Sequence, residues 1–137
     1  MIRFAGKSLN YITIDIKKRT MTEFVYLYRG YELPASPEEM QKKTAKWMTW
    51  LKDLSDKGHL KSLGEPLQPN GKVVKGPKKQ VIDGPFAEAK DVVGGYSIIL
   101  ARDIDQAVEF SLECPIFEDG GSVEVRPIGQ IESGDGY

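Results

Sequence analysis

The chain has 137 residues, 40% hydrophobic and 28% charged, a balance that fits one soluble globular domain and excludes a disordered, collagen-like or two-domain organisation. Lys+Arg 19 against Asp+Glu 20 leave a net charge of -1, so no global electrostatic reason favours nucleic acid or an anionic membrane as a partner. No run approaches the ~18 uninterrupted apolar residues of a membrane-crossing helix, and the single cysteine, Cys114, has no internal disulfide partner, in keeping with a reducing, cytoplasmic setting.

Residues 1–20 carry five basic residues (Arg3, Lys7, Lys17, Lys18, Arg19) and one acid (Asp15), a net of +4 that leaves -5 on residues 21–137. Asn10, Thr13, Asp15 and Lys17-Lys18-Arg19 break the apolar run that a secretory signal needs. Two readings stand for this segment. One is a short edge strand over Tyr11 to Ile16, where Ile12, Ile14 and Ile16 alternate with Tyr11, Thr13 and Asp15; the other is an extension upstream of a translation start at Met21. Glu23 to Arg29 is rich in aromatic and β-branched residues and predicts a strand, apolar on both faces: Phe24, Tyr26 and Tyr28 on one, Val25 and Leu27 on the other. Ser36-Pro37-Glu38-Glu39 supplies an N-cap serine, proline at the first helical position and glutamate three residues after the cap. Met40, Thr44, Trp47, Met48, Leu51 and Leu54 continue at helical spacing until Gly58 ends the helix.

His59 to Leu67 and Lys72 to Ile82 contain strand candidates joined by Pro69-Asn70-Gly71 and interrupted by Gly76-Pro77, which predicts a hairpin with a second turn inside it. Gly95 to Ala101 is again apolar on both faces and predicts a central strand. Asp103-Ile104-Asp105-Gln106 caps a second helix, with Ile104, Ala107, Val108 and Leu112 as its apolar side and Cys114-Pro115 as its end; Ser122 to Ile128 is the last strand, ahead of a polar tail over 129–137. The order β-α-β-β-α-β predicts an α+β, ferredoxin-like domain over residues 21–128. Two helices cover one face of such a sheet, so strands apolar on both sides predict a second cover, an identical subunit, with a ligand cavity near the sheet.

Most motifs that carry chemistry are absent: there is no P-loop, no dinucleotide-binding glycine pattern, no C-x-x-C and no nucleophile elbow, and nothing calls for a cofactor or a metal. His59 reads as a surface residue just past a helix end, where a cation suits the dipole. Trp47 and Trp50, three apart, read as core or dimer packing, and Cys114 as a packed thiol. The densest unusual segment is Asp83-Gly84-Pro85-Phe86-Ala87-Glu88-Ala89-Lys90, followed by Gly94-Gly95-Tyr96. As structure it is good turn chemistry. As function it brings Asp83 and Glu88 to a cavity rim as acid/base candidates, with Lys90 holding them ionised. Glu124 and Arg126 share one face of the last strand, and Arg126 is suited to a carboxylate or phosphate; with Lys90 and Tyr96 they form the ligand-binding set.

At these residues the chain resembles the DGPF-domain branch of the YCII-related family. The resemblance covers residues 21–128 and rests on Asp83-Gly84-Pro85-Phe86 with Glu88 and Lys90, on Gly94-Gly95-Tyr96, on Cys114-Pro115 and on Gly121 to Ile128. It implies a dimeric α+β barrel of ferredoxin-like protomers. Some members of the wider family carry a His-Asp pair near a pocket; by ungapped counting Asp56 matches the aspartate, while Trp47 stands where the histidine would be. The branch is similar to proteins found beside or fused to sigma factors. Two functions are therefore expected: a homodimeric small-molecule-binding domain with acid/base chemistry, or a non-catalytic regulatory module whose partner is a transcription factor.

Overall fold

The computed structural model describes residues 21–30, 34–84 and 91–129. The first strand, β1 (Thr22–Arg29), leads to helix α1 (Pro37–Asp56), where Ser36 Oγ accepts the Glu39 N–H at 3.2 Å and Glu39 Oε2 accepts the Ala35 N–H at 3.2 Å. Gly58 ends the helix in the left-handed region, φ 80°, which turns the His59 N–H back onto the Leu54 carbonyl at 2.8 Å. Three short strands follow: β2 (Leu60–Ser62), β3 (Gly71–Lys75) and β4 (Gln80–Gly84). Strand β5 (Val93–Ala101) leads into helix α2 (Ile104–Ser111), which repeats the cap of α1: Asp103 Oδ1 accepts the Gln106 N–H at 2.9 Å, and Gln106 Oε1 accepts the Arg102 N–H at 2.7 Å. A 3₁₀ turn (Pro115–Asp119) and β6 (Ser122–Pro127) complete the described chain.

Among the described residues, the main sheet has the order β2-β5-β1-β6 with every pairing antiparallel. Strand β5 lies between β1 and β2, which α1 connects, so the fold is the split βαβ, ferredoxin-like α+β arrangement that the sequence predicts. Strand alternation divides the sheet into two faces. Phe24, Tyr26, Tyr28, Ile99 and Ala101 are buried on the helix side with Trp50, Leu51 and Leu54 of α1 and Ala107 of α2. Burial obliges their polar atoms to find partners: the Tyr26 hydroxyl donates to the Ala107 carbonyl and Trp50 Nε1 donates to the Phe110 carbonyl at 3.1 Å. The opposite face carries Val25, Leu27, Tyr96, Ile98 and Leu100, all half-buried.

The structure departs from expectation at three places. Lys72 to Ile82 does not pair with His59 to Leu67; instead β3 and β4 form a separate two-stranded sheet, and Gly76 (φ 77°) and Lys79 (φ 55°) shape its tip, while β2 pairs with β5. Helix α2 buries Ala107 and Ser111 and leaves Ile104, Val108 and Leu112 outward, because the close approach of Tyr26 to its backbone favours its smaller side chains. His59 is buried: its Nδ1 lies 2.9 Å from the Leu100 carbonyl and its ring centroid 4.3 Å from that of Phe110, so it is a structural link between the end of α1 and β5. The edge-strand and upstream-extension readings of residues 1–20 and the tail beyond 129 lie outside the described residues.

Candidate functional site

Helical spacing places Met40, Lys43, Thr44, Trp47, Met48 and Leu51 along one side of α1, and this row overhangs the end of the sheet where β1 and β5 run past β2. Between them lies a mostly apolar cavity of about 480 Å³, closed from below by Tyr28 and Ser97 and from the side by residues 63–66. Trp47 meets Tyr28 edge to face, centroids 4.8 Å apart and planes at 87°. The Tyr28 hydroxyl donates to Ser97 Oγ at 2.8 Å, and Ser97 Oγ donates to the Leu63 carbonyl at 2.7 Å. Burial pushes the Tyr28 hydroxyl far above its ordinary pKa, so it stays a neutral donor.

Two glycine positions explain the close wall. A Cβ on Gly64 would lie 1.6 Å from the Tyr96 carbonyl oxygen, and one on Gly95 would lie 3.1 Å from the Glu65 carbonyl oxygen. Residues 64–67 are therefore laid directly on β5, where Tyr96 N–H donates to the Glu65 carbonyl at 3.3 Å and Leu67 N–H to the Gly94 carbonyl at 2.8 Å. Gly94-Gly95-Tyr96, singled out in the sequence, is the backbone platform of the cavity. At the rim, Lys43 Nζ holds Asp119 Oδ1 at 2.7 Å. One turn further along α1, Lys46 holds Glu118 at 2.9 Å, so two ion pairs fasten the helix to the 3₁₀ turn.

Of the predicted site residues, Tyr96 lines this cavity. Asp83 lies on β4 opposite Lys72 of β3 and is paired with it; its side chain is 81% exposed and it is outside the cavity lining. Glu124 and Arg126 lie on the open sheet face, where Glu124 meets Arg29 at 3.4 Å and Arg126 at 3.9 Å. Register places Tyr96 opposite Leu27 and Leu27 opposite Glu124, so these three form one row across the sheet. Glu88 and Lys90 lie outside the described residues. Asp56, matched to the dyad aspartate, is exposed and paired with Lys52 at 2.7 Å, whereas Trp47 lines the cavity.

Sequence reasoning passed over Lys43, Asp119, Tyr28 and Ser97 as site residues. Tyr28 and Ser97 carry only the signal of strand alternation, and Lys43 and Asp119 are 76 residues apart with no local pattern linking them. A second, more open groove between α1 and residues 112–118 reaches Cys114, whose buried thiol is pushed up to about 12, the opposite of an activated nucleophile. Among the described residues no group of three or more His, Cys, Asp or Glu side chains could hold a metal ion, and no helix is long and apolar enough to cross a membrane.

Comparison with known proteins adds two findings. The family model described as the YCII-related domain matches residues 24–132. An uncharacterized protein of Rhizobium meliloti (strain 1021) is 36% identical over 56 residues, which cover 40% of this chain and 45% of that relative. The aligned part thus spans less than half the length of the relative.

Proposed function

This chain belongs to the YCII-related domain family, and we propose that within it the chain is a homodimeric small-molecule-binding domain of the DGPF branch. The observation that carries the reading is the cavity under α1. Its volume falls within the range of small-ligand sites, its walls are mostly apolar, and a few polar groups converge on it from four separate parts of the chain. The half-buried apolar row on the opposite sheet face supports a second copy as its cover. The acid/base assignment to Asp83 and Glu88 is the catalytic extension of this reading, and in it the β3–β4 hairpin is the arm that presents Asp83.

The test is a thermal-shift screen of the full chain against a broad metabolite panel, with Thr44→Trp and Asp83→Asn in parallel and light scattering on all three. Thr44 is exposed on α1 and lines the cavity, so a tryptophan there fills the space without disturbing the core. A ligand that raises the wild-type midpoint but not that of Thr44→Trp supports the cavity as the site. If the ligand shifts both equally, the cavity is the wrong place. Loss of binding in Asp83→Asn brings the hairpin to the site, and normal binding removes Asp83 from it. A panel without any ligand turns the search to the regulatory alternative, with a protein such as a transcription factor as partner.

A further inference from the structure

Helix α2 presents two side-chain rows to solvent. Ile104, Val108 and Leu112, four residues apart, form an exposed apolar row, and Leu112 is 64% exposed. Through Leu112 the row continues into the groove between α1 and residues 112–118, which exposed Phe117 also lines. A contiguous apolar surface rimmed by charge marks an interaction site. The rim is the second row: Asp105, Glu109 and, just past the helix end, Glu113, each one position round the helix from the apolar row and each exposed. Among the described residues no cation pairs with these three. Elsewhere the chain pairs its carboxylates, Asp56 with Lys52, Asp53 with Lys57 and Glu118 with Lys46. Like charges four residues apart repel, Glu109 and Glu113 lie at the negative end of the helix dipole, and the last turn holds no basic residue to offset them. The acidic row therefore weakens the helix that carries it.

An acidic row beside an apolar one selects the charge of whatever covers both. Both rows repeat every four residues, about 6 Å along the axis, the spacing at which one side of a partner helix repeats. We propose that this face docks a basic amphipathic helix of another protein. Its apolar side chains would lie on Ile104, Val108 and Leu112, and its Lys or Arg side chains would meet Asp105, Glu109 and Glu113. The groove shares no lining residue with the cavity under α1, so the proposal goes beyond the small-molecule reading and does not depend on it.

The test is fluorescence anisotropy of two labelled helical peptides of about 18 residues with the same leucine row, one flanked by lysines and the other by glutamates, titrated with the full chain. The expected result is a preference of ~10-fold or more for the lysine peptide, weakening as salt is raised. The preference is lost in Val108→Asp and inverted in the double variant Glu109→Lys, Glu113→Lys. All three positions are exposed and lysines suit that helix end, so the double variant is expected to melt at the wild-type temperature or above. If it melts lower, the acidic row serves the fold and the proposal falls. Equal binding of the two peptides, binding of neither, or a preference that survives Val108→Asp also overturns it. A wild-type assembly whose mass by light scattering drops in Val108→Asp gives the face to a second copy instead. Binding that appears only in the triple variant Lys17→Glu, Lys18→Glu, Arg19→Glu gives it to the chain's own basic segment, and either outcome overturns the proposal.

Discussion

The Tyr28 hydroxyl holds Ser97 to β1 while its ring forms the floor of the cavity, so Tyr28→Phe separates packing from hydrogen bonding. The ring contacts survive and one buried hydrogen bond is lost, which predicts a cost of about 1 kcal/mol, read as a lower urea midpoint at unchanged slope. A loss several times larger would mean that the hydroxyl organises more than this chain of two bonds. Burial also sets the alkaline limit of the fold. It raises the Cys114 thiol from an ordinary 9.0 to about 12, and the Tyr26 and Tyr28 hydroxyls well above 10.0. All three bind their proton more tightly folded than unfolded. The stability they contribute is therefore complete below pH 9.0 and is lost as pH rises through 9.0 and 10.0 toward the folded values. The melting temperature is expected to fall across that range, less steeply in Cys114→Ser, and a level profile would contradict burial as the cause. At neutral pH the native thiol should resist Ellman's reagent and react once the chain is unfolded.

At the scale of elements, both helices begin with the same device, a cap side chain on the N3 amide and the N3 side chain on the amide preceding the cap. Ser36→Ala removes one half of it and should cost about 1 kcal/mol, measured by denaturation with the helix otherwise intact. Asp103 has its carboxyl held below the ordinary 3.8, first by the Gln106 amide and then by Arg102. Its contribution is present above 3.8 and lost as pH falls toward the lower folded value, so Asp103→Asn should flatten the acid limb of stability. Both caps were legible because a cap is local, as were β1 and β5, whose alternation is written in consecutive residues. Pairing was less legible. Lys72 to Ile82 has strand composition whichever partner it takes, and its choice of itself depends on a turn at Gly76 and on β5 being occupied by β2. The outward stripe Ile104, Val108, Leu112 misled for a related reason: apolar spacing marks a face of a helix, whereas the side turned inward is the one carrying Ala107 and Ser111, where the Tyr26 hydroxyl meets the Ala107 carbonyl.

For the whole molecule, the open sheet face is where one chain would meet another. Leu27 lies in its middle, between Tyr96 and Glu124, so Leu27→Asp would bury an unpaired carboxylate in a dimer and is expected to yield monomers by light scattering, with the helix-side core untouched. A dimer of unchanged affinity would place the interface elsewhere. The candidate site was only partly legible at this scale. Gly94-Gly95-Tyr96 and Trp47 stood out by type, but their meeting with Lys43 and Asp119 is a product of the fold, since the last pair closes a span of 76 residues. The hairpin β3–β4 stands apart from all this: among the described residues its strands pair only with each other, and no ladder bond of the main sheet passes through it. Its tip at Gly76–Lys79 is thus a splice point, where a peptide tag or a whole guest domain can be inserted at little more than the entropy of a longer connection while the four-stranded sheet keeps its register.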